Sequence, residues 1–314
     1  MPHSILSTLK AASQPVCKPA RAAFDAIPNH LKGILLALVS TGLFVVVGVL
    51  VRMLSDTIGT FQILLFRQVV FLAILMPAIK ANIPILLKPK KIKLHLLRIT
   101  GAFFALYLGF VTVSNIPLAD AKAIGFLQVL FVALISRLFL SEVVTASRWF
   151  TILVGFIGVM LIVQPNFTDA SFRYITLGAL GSLGAATAVV CVRKVALTEP
   201  RITLLAYQAI FVGLLALLPS LYSWQWPTGH ELSLLILVGV ISSVAQWFGV
   251  SAYKWGEANV IANVEYISIL YSITLGYLLF SETPNALVFL GTAVLIFSVV
   301  APHLYNAVKT KCSR

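Results

Sequence analysis

The sequence predicts an all-α integral membrane protein with ten transmembrane helices in two inverted five-helix repeats. The first observation is composition: of 314 residues, 60% are hydrophobic and 11% are charged, with a mean hydropathy of +0.99. Soluble chains are about 45–50% apolar and about 25% charged. The second is that ten helices of about 20 residues account for most of the chain, so a separate soluble domain has no room. The third is the distribution of basic residues described below.

Apolar runs bounded by charged residues, proline or glycine predict each helix in turn. In the first half they fall at 33–51, 60–79, 95–114, 118–139 and 147–164, and in the second at 174–192, 202–221, 232–253, 258–280 and 286–305. At 1.5 Å per residue, each run is long enough to cross about 30 Å of hydrocarbon. We therefore predict repeats at 32–165 and 172–305, an N-terminal tail at 1–31 and a basic C-terminal tail at 306–314.

The basic residues predict the orientation of these helices. Of the 23 Lys and Arg residues, nineteen fall on the side that holds both termini, and Arg67 lies inside a predicted helix. Only Arg52, Lys122 and Arg173 fall on the other side. Positive charge accumulates in cytoplasmic loops. Both termini are therefore predicted to be cytoplasmic, in a bacterial inner (plasma) membrane, and the net charge of +13 requires no nucleic-acid partner.

The two halves of the chain resemble each other at an offset of about 141 residues. The matches include Val51-Arg52 with Val192-Arg193, Gly109 with Gly249, and Leu140-Ser141-Glu142 with Phe280-Ser281-Glu282. Several matches in order at one offset indicate an internal repeat. Because five is an odd number of crossings, the second copy must enter the membrane from the opposite side. Inverted repeats are typical of transporters that alternate access around a site near the midplane.

Several motifs resemble the EamA transporters of the drug/metabolite transporter superfamily. They are Ile116-Pro117-Leu118-Ala119-Asp120-Ala121, Leu140-Ser141-Glu142, Gly155-Phe156-Ile157-Gly158 and Val163-Gln164-Pro165 in the first half, with Leu64-Leu65-Phe66-Arg67 in the second helix and Phe280-Ser281-Glu282 before Pro284. The resemblance covers about residues 32–305 and is nearest to the relatives that take up riboflavin or S-adenosylmethionine. It implies ten helices in two inverted units that move small organic metabolites, and a structural or gating turn at Glu142 and Glu282.

Two charged residues inside predicted helices are candidates for substrate binding. Arg67 and Glu265 each lie about seven residues, or roughly 10 Å, from a helix end. Intramembrane charge is costly and often functional. Arg67 presents a rigid donor fork for a carboxylate, phosphate or imide edge. Glu265 is suited to a ligand cation or a coupling proton. The alternatives are a structural arginine that caps a helix end and a permanent ion pair between the two residues.

Polar and aromatic residues at similar depth complete the candidate substrate site. They are Tyr107, Gln128, Gln208, Gln246, Asn263 and Tyr266. Gln208 is nearly the repeat counterpart of Arg67, so its amide is expected to read a polar ligand. Tyr266, with Trp247, is a candidate to stack on a heterocyclic ring. The alternative for each amide is an interhelical hydrogen bond.

These features favour a secondary transporter for a small polar metabolite that is vitamin-like, nucleoside-like or amino-acid-like. Its expected partners are the substrate and the lipid bilayer, with a proton as a candidate coupling ion, in a monomer or homodimer without metal or cofactor. A lipid-linked substrate flippase of the same fold, a metabolite or drug exporter and a non-transporting scaffold are the alternatives. An intramembrane enzyme is disfavoured because the sequence contains neither HExxH nor GxSxG.

Overall fold

The structure, a computed structural model, describes residues 28–140, 146–164, 169–196, 198–255, 264 and 267–312. Every regular element in these ranges is a helix. The helices are α1 (Asn29–Leu54), α2 (Thr60–Ala81), α3 (Ile83–Leu86), α4 (Ile92–Asn115), α5 (Leu118–Gly125), α6 (Leu127–Leu140), α7 (Ala146–Val163), α8 (Asp169–Ala196), α9 (Arg201–Tyr207), α10 (Gly213–Tyr222), α11 (Gly229–Trp255), α12 (Ile267–Phe280) and α13 (Ala286–Cys312). A π-helical segment, Gln208–Val212, joins α9 to α10.

Six helical stretches in the described ranges are long and apolar enough to cross a membrane. They are Leu31–Leu54, Thr60–Ala81, Ile92–Asn115, Phe172–Val192, Arg201–Tyr222 and Gly229–Ala252. Three shorter apolar stretches accompany them, at Ile152–Ile162, Ile267–Phe280 and Ala286–Ser298. The predicted all-helical membrane protein is therefore confirmed. Ten crossings, their inverted order, the repeat boundaries and the cytoplasmic termini stay predictions, and residues 1–27 of the N-terminal tail lie outside the described ranges.

The predicted fourth helix is broken near its middle. A single helix was expected over 118–139, but α5 ends at Gly125 and α6 begins at Leu127, with a turn at Phe126. Glycine has a low helix propensity, which favours a break at this place. The Ser182 hydroxyl on α8 donates to the carbonyl of Ile124 at 3.0 Å. This bond satisfies a backbone acceptor beside the break, so the interruption is tolerated inside an apolar bundle.

Small residues bring two pairs of long helices into close contact. Where α4 meets α8, a Cβ atom built on Gly101 would lie 2.6 Å from the Gly184 carbonyl oxygen. Where α11 meets α1, a Cβ atom on Gly249 would lie 2.9 Å from the Ser40 hydroxyl oxygen. Ser40 also donates to the carbonyl of Ala245 at 2.8 Å. Small residues at such crossings allow helix backbones to approach closely within membranes.

These two pairings correspond to each other under the sequence repeat. The repeat matches α4 with α11 and α1 with α8, since Gly109 on α4 recurs as Gly249 on α11. Helix α4 packs on α8, and α11 packs on α1. Exchanging the two halves therefore exchanges one helix pair for the other. This is the pattern expected of a structural repeat. The repeat also matches α2 with the continuous stretch of α9 and α10, and these two lie beside each other.

The main apolar core surrounds this meeting of α2 with α10 and α11. Its fully buried members include Ile63 and Leu64 on α2, Val212 before α10 and Leu235 on α11. Large apolar side chains elsewhere are exposed, as expected for helices that face lipid; Leu153, Leu218 and Phe289 are examples. The core therefore holds α2 in the interior, which decides the environment of its polar residues.

Candidate substrate-binding site

Arg67 lies on the buried face of α2. Leu64, Arg67 and Phe71 follow the three- and four-residue spacing of one helix face, and all three are almost completely buried. The Arg67 side chain is only 1% exposed. Its Nε, Nη1 and Nη2 atoms have no hydrogen-bond partner among the described residues. Arg67 is therefore a buried cation, and no hydrogen bond to a described residue offsets the free-energy cost of its desolvation.

The residue after Arg67 is also without polar partners. Gln68 is 1% exposed, and neither its Nε2 nor its Oε1 atom has a partner within the described ranges. A Cβ atom built on Gly213 of α10 would lie 3.3 Å from the Gln68 Cβ atom, so α10 packs closely on α2 here. Two successive residues thus bring five unsatisfied polar atoms into the interior. Buried polar atoms in native proteins are normally hydrogen-bonded, so this concentration makes α2 a candidate site.

Gln208 has a hydrogen-bond partner inside the protein. Its amide was expected to read a polar ligand, but Oε1 accepts a hydrogen bond from Nη2 of Arg98 at 2.9 Å. Nη1 of Arg98 donates to the carbonyl of Leu204 at 2.6 Å. The Gln208 oxygen is therefore engaged within the protein, and binding of a ligand by its amide stays a prediction. The interhelical hydrogen bond that was its alternative is the one observed.

Arg98 is a buried residue that the sequence analysis counted among the basic residues of the cytoplasmic side, near the start of the helix predicted at 95–114. It lies about 9 Å inside α4, six residues after Ile92, and its side chain is 2% exposed. Five basic residues just before it (Lys88, Lys90, Lys91, Lys93 and His95 when protonated) made this stretch resemble a loop. A useful signal was the three-residue spacing of His95 and Arg98, which places both on one helix face.

The Arg98 bonds lie at the start of the π-helical segment. Gln208 is the first residue of that segment, and it follows Tyr207, the last residue of α9. The segment packs against both α2 and α4. Single π turns inside α-helices are rare and occur often at functional sites. The two arginine-bearing helices, α2 and α4, therefore flank one irregular segment.

Tyr107 belongs to a group of three near-parallel aromatic rings. Its ring centroid lies 4.1 Å from that of Phe61 and 6.0 Å from that of Phe103, with interplanar angles of 11° and 10°. The first pair is too close for a ligand ring to enter between them. A planar ligand could stack only on the outer face of the group. Tyr107 is half-buried, which leaves part of this surface accessible.

Glu282 forms an ion pair that joins three helix ends. Its carboxylate pairs with Arg52 in the last turn of α1 and accepts the backbone N–H of Leu118, the first residue of α5, at 3.2 Å. The Arg52 guanidinium lies 4.4 Å from the centroid of the Phe280 ring. Glu282 follows α12, and a Cβ atom on Gly276 would lie 2.5 Å from its carboxylate. A structural or gating role for this turn stays a prediction.

The remaining candidates are either half-buried or outside the described ranges. Gln128, two residues after the break at Phe126, and Gln246 on α11 are half-buried. Trp247 is 51% exposed, which favours lipid contact over ligand stacking. Glu142, Asn263, Glu265 and Tyr266 lie outside the residues that the structure describes.

Comparison with known proteins identifies the family. The model of the EamA-like transporter family matches residues 31–164 and 172–301. The pseudopaline exporter CntI of Pseudomonas aeruginosa (strain UCBPP-PA14) is 30% identical over 273 residues, which cover 86% of this chain and 95% of the exporter. The S-adenosylmethionine uptake transporter of Rickettsia felis is 26% identical over 275 residues, covering 87% and 92%.

Two further similarities extend this picture. The riboflavin transporter of Vibrio cholerae is 26% identical over 298 residues, which cover 92% of this chain and 98% of that transporter. A solved crystal structure superposes with a TM-score of 0.69 at 15% identity, covering 88% of this chain and 98% of the other, a likeness of fold alone. The curated relatives are transporters and not enzymes. The chain belongs to the EamA-like transporter family of the drug/metabolite transporter superfamily.

Proposed function

We propose that this protein carries a small polar organic metabolite across the bacterial inner membrane by alternating access, and that Arg67 binds an anionic or imide edge of that substrate. The observation that carries the proposal is the buried Arg67 guanidinium, whose three nitrogen atoms have no partner among the described residues. A buried charge is tolerated when it is paired. In a transporter, a substrate supplies that partner for part of each cycle.

The donor geometry of Arg67 selects the chemistry of the ligand. Guanidinium offers parallel N–H donors that match the two oxygens of a carboxylate or phosphate. An imide edge offers carbonyl acceptors to the same donors. The adjacent Gln68 amide supplies a further donor and an acceptor. Together they favour a ligand with one compact acidic or imide group beside other polar atoms.

The relatives offer specific compounds for testing. S-adenosylmethionine, carried by the Rickettsia relatives, has a carboxylate and a planar adenine ring. Riboflavin, carried by the Vibrio cholerae relative, has an imide edge on a planar ring system. The outer face of the Phe61–Phe103–Tyr107 group is suited to such a ring. Because one relative is an exporter, outward movement of a metabolite is the second direction to test.

The paired helix contacts support alternating access. The α4–α8 and α1–α11 contacts are exchanged when the two halves are exchanged. Two nearly equivalent arrangements of this kind are the basis of alternating access in inverted repeats. We propose ten crossings with both termini in the cytoplasm, since this order places nineteen basic residues on one side. The helix that carries Glu265 would then enter the membrane from the cytoplasmic side, whereas the helix that carries Arg67 would enter from the other side.

A thermal-shift assay of the purified protein tests the role of Arg67. We expect S-adenosylmethionine, riboflavin or another member of a metabolite panel to stabilise the wild type, by about 2.7 kcal/mol at a hundredfold excess over Kd. Arg67→Gln should lose this shift, and Arg67→Lys should weaken it because lysine lacks the planar fork. Arg173→Gln, at an exposed position, is the matched control.

The outcomes of this assay separate the alternatives. A shift that persists in Arg67→Gln contradicts the proposed binding residue while keeping the transporter. A shift with lipid alone, and with no soluble compound, would favour the flippase alternative. Uptake and efflux in proteoliposomes, with the stabilising compound placed on either side, then determine the direction of movement.

A further inference from the structure

A histidine–carboxylate pair forms a further buried polar group among the described residues. His95 near the start of α4 and Glu199 just before α9 approach to 3.0 Å between Nε2 and Oε2. Their side chains are 2% and 4% exposed. Histidine is the side chain that exchanges a proton most readily between about pH 5 and pH 8. A buried pair of this kind inside a membrane protein is therefore a candidate for a proton-binding site.

Glu199 also connects two loops. Its Oε1 atom accepts the backbone N–H groups of Lys90 and Lys91, at 3.1 and 3.2 Å. These lysines lie between α3 and α4, whereas Glu199 lies between α8 and α9. The His95–Glu199 contact thus ties the first-half loop to the second-half loop at one end of the bundle. The two halves of the chain are therefore joined at this end of the bundle through Glu199.

The groups that face the pair set its electrostatic environment. Lys90 and Lys91 in the loop and Tyr207 on α9 contact the pair, and further titratable groups on the neighbouring elements are Arg98 on α4 and Cys191 and Lys194 on α8. The Tyr207 ring meets the His95 ring edge-on, with centroids 4.9 Å apart, and its hydroxyl donates to the Leu86 carbonyl at 2.5 Å. Glu199 Oε1 is already occupied by two backbone N–H donors, so His95 is the member of the pair to which we assign the proton. Its Nδ1 atom has no partner within the described ranges.

We propose that the His95–Glu199 pair binds the proton that is coupled to substrate movement, an inference that rests on the proposed transport function. The neutral His95 imidazole takes one proton from the adjacent aqueous side and becomes an imidazolium, and no other bond forms or breaks. The pair changes from a hydrogen bond to an ion pair with the Glu199 carboxylate. Proton binding therefore strengthens the tie between the two loops, and proton release weakens it.

A short path links this pair to Arg67. The Tyr207 ring contacts the His95 ring, and Tyr207 directly precedes Gln208 in the chain. Arg98, which lies one helical turn after His95 on α4, donates a hydrogen bond to Gln208. The π-helical segment that begins at Gln208 packs against α2. A displacement of the N-terminal end of α9 would therefore also displace α2, the helix that carries Arg67. Two elements with two arrangements, biased by the proton and by the substrate, are what coupling requires.

Nuclear magnetic resonance of ring-labelled histidines tests proton binding directly. Full-length protein in lipid nanodiscs would be titrated from about pH 8 to about pH 5, and the His95 signals would be assigned by their loss in His95→Gln. We expect these signals to move with pH in the wild type. His230→Gln, which removes an exposed histidine, should leave them unchanged. His95 signals that do not move over this range would overturn the proposal.

Transport under an imposed pH gradient tests coupling, with S-adenosylmethionine and riboflavin as probes. We expect a gradient to stimulate wild-type flux at least tenfold more than the flux of His95→Gln or Glu199→Gln, while both variants still bind the probe. A merely structural pair would change stability and leave the gradient dependence intact, which would overturn the proposal. Arg67→Gln should lose probe binding but keep the His95 titration. Loss of the titration counts against the proton site, whereas loss of probe binding by the wild type counts against the proposed function alone.

Discussion

Arg67 and Arg98 have the same side chain and nearly the same burial, yet their surroundings differ. Arg98 donates to the Leu204 carbonyl and to the Gln208 amide, and only its Nε atom lacks a partner within the described ranges. Arg67 makes no hydrogen bond to any described residue. A partnered buried arginine contributes to the structure, because its neighbours depend on it. An unpartnered one lowers stability, and under the proposed function a substrate completes its bonding.

The repeat makes this comparison sharper. Gln208 is nearly the repeat counterpart of Arg67, and the position that corresponds to Arg98 at the same offset is close to Gly239. A Cβ atom on Gly239 would lie 2.5 Å from the Cβ atom of Val70, one turn along α2 from Arg67. Arg98 is thus hydrogen-bonded to the near counterpart of Arg67, whereas the counterpart of Arg98 is a glycine, which has no side chain to offer Arg67. The Arg98 guanidinium therefore has hydrogen-bond partners, whereas the Arg67 guanidinium has none among the described residues.

The largest effect on stability is expected from Arg98→Met. This change removes the Arg98 hydrogen bonds to the Leu204 carbonyl, which keeps the backbone N–H of Gln208, and to the Gln208 amide, which loses its buried donor. Hydrogen bonds to charged groups contribute about 1.5–3 kcal/mol each. Relief of the buried charge offsets part of this loss. We expect the free energy of unfolding in mixed micelles to fall by about 3 kcal/mol. An unchanged value would mean that the two hydrogen bonds contribute little.

Arg67→Met is expected to change stability in the opposite direction. It removes a buried cation that has no partner among the described residues, so the desolvation cost disappears while the apolar contacts of the stem are mostly kept. We expect the apo protein to gain about 2 kcal/mol and to lose ligand binding. Arg67→Lys retains the charge and is the matched control, without the gain. A lower stability in Arg67→Met would indicate that the guanidinium already has a structural partner.

The sequence predicted one member of this comparison and missed the other for physical reasons. Arg67 is isolated within a long apolar run, so its intramembrane position could be recognised from hydropathy alone. Arg98 is the fourth residue of the helix predicted at 95–114 and follows a lysine-rich stretch, so it was counted with the loop charges and its burial was not predicted. Helix α4 begins three residues earlier, at Ile92, and Glu199 from the other half of the chain accepts the N–H groups of Lys90 and Lys91 just before it. A contact between residues about 100 positions apart leaves no local signal.

The same limit applies to backbone detail. The all-helical class, most helix positions and the family could be predicted, since they depend on apolar runs and short motifs. The break at Phe126 and the π-helical segment could not. Both lie beside tertiary hydrogen bonds, from Ser182 to the Ile124 carbonyl and from Arg98 to the Leu204 carbonyl. The sequence pattern contains the donors, but it does not specify which acceptors they reach.

The smallest effect is expected at Arg52, which extends the comparison to a partly exposed arginine. Its ion pair with Glu282 has side chains 25% and 20% exposed, so solvent screens much of the attraction. Pairs in such settings contribute about 0.2–1 kcal/mol, and we expect Arg52→Gln to lower the free energy of unfolding by about 0.5 kcal/mol. Glu282→Ala should cost about 1 kcal/mol more, because it also removes the acceptor of the Leu118 N–H group. A double-mutant cycle measures the part due to the ion pair. A coupling energy as large as the loss in Arg98→Met would show that partner type, and not burial, sets the contribution of each arginine.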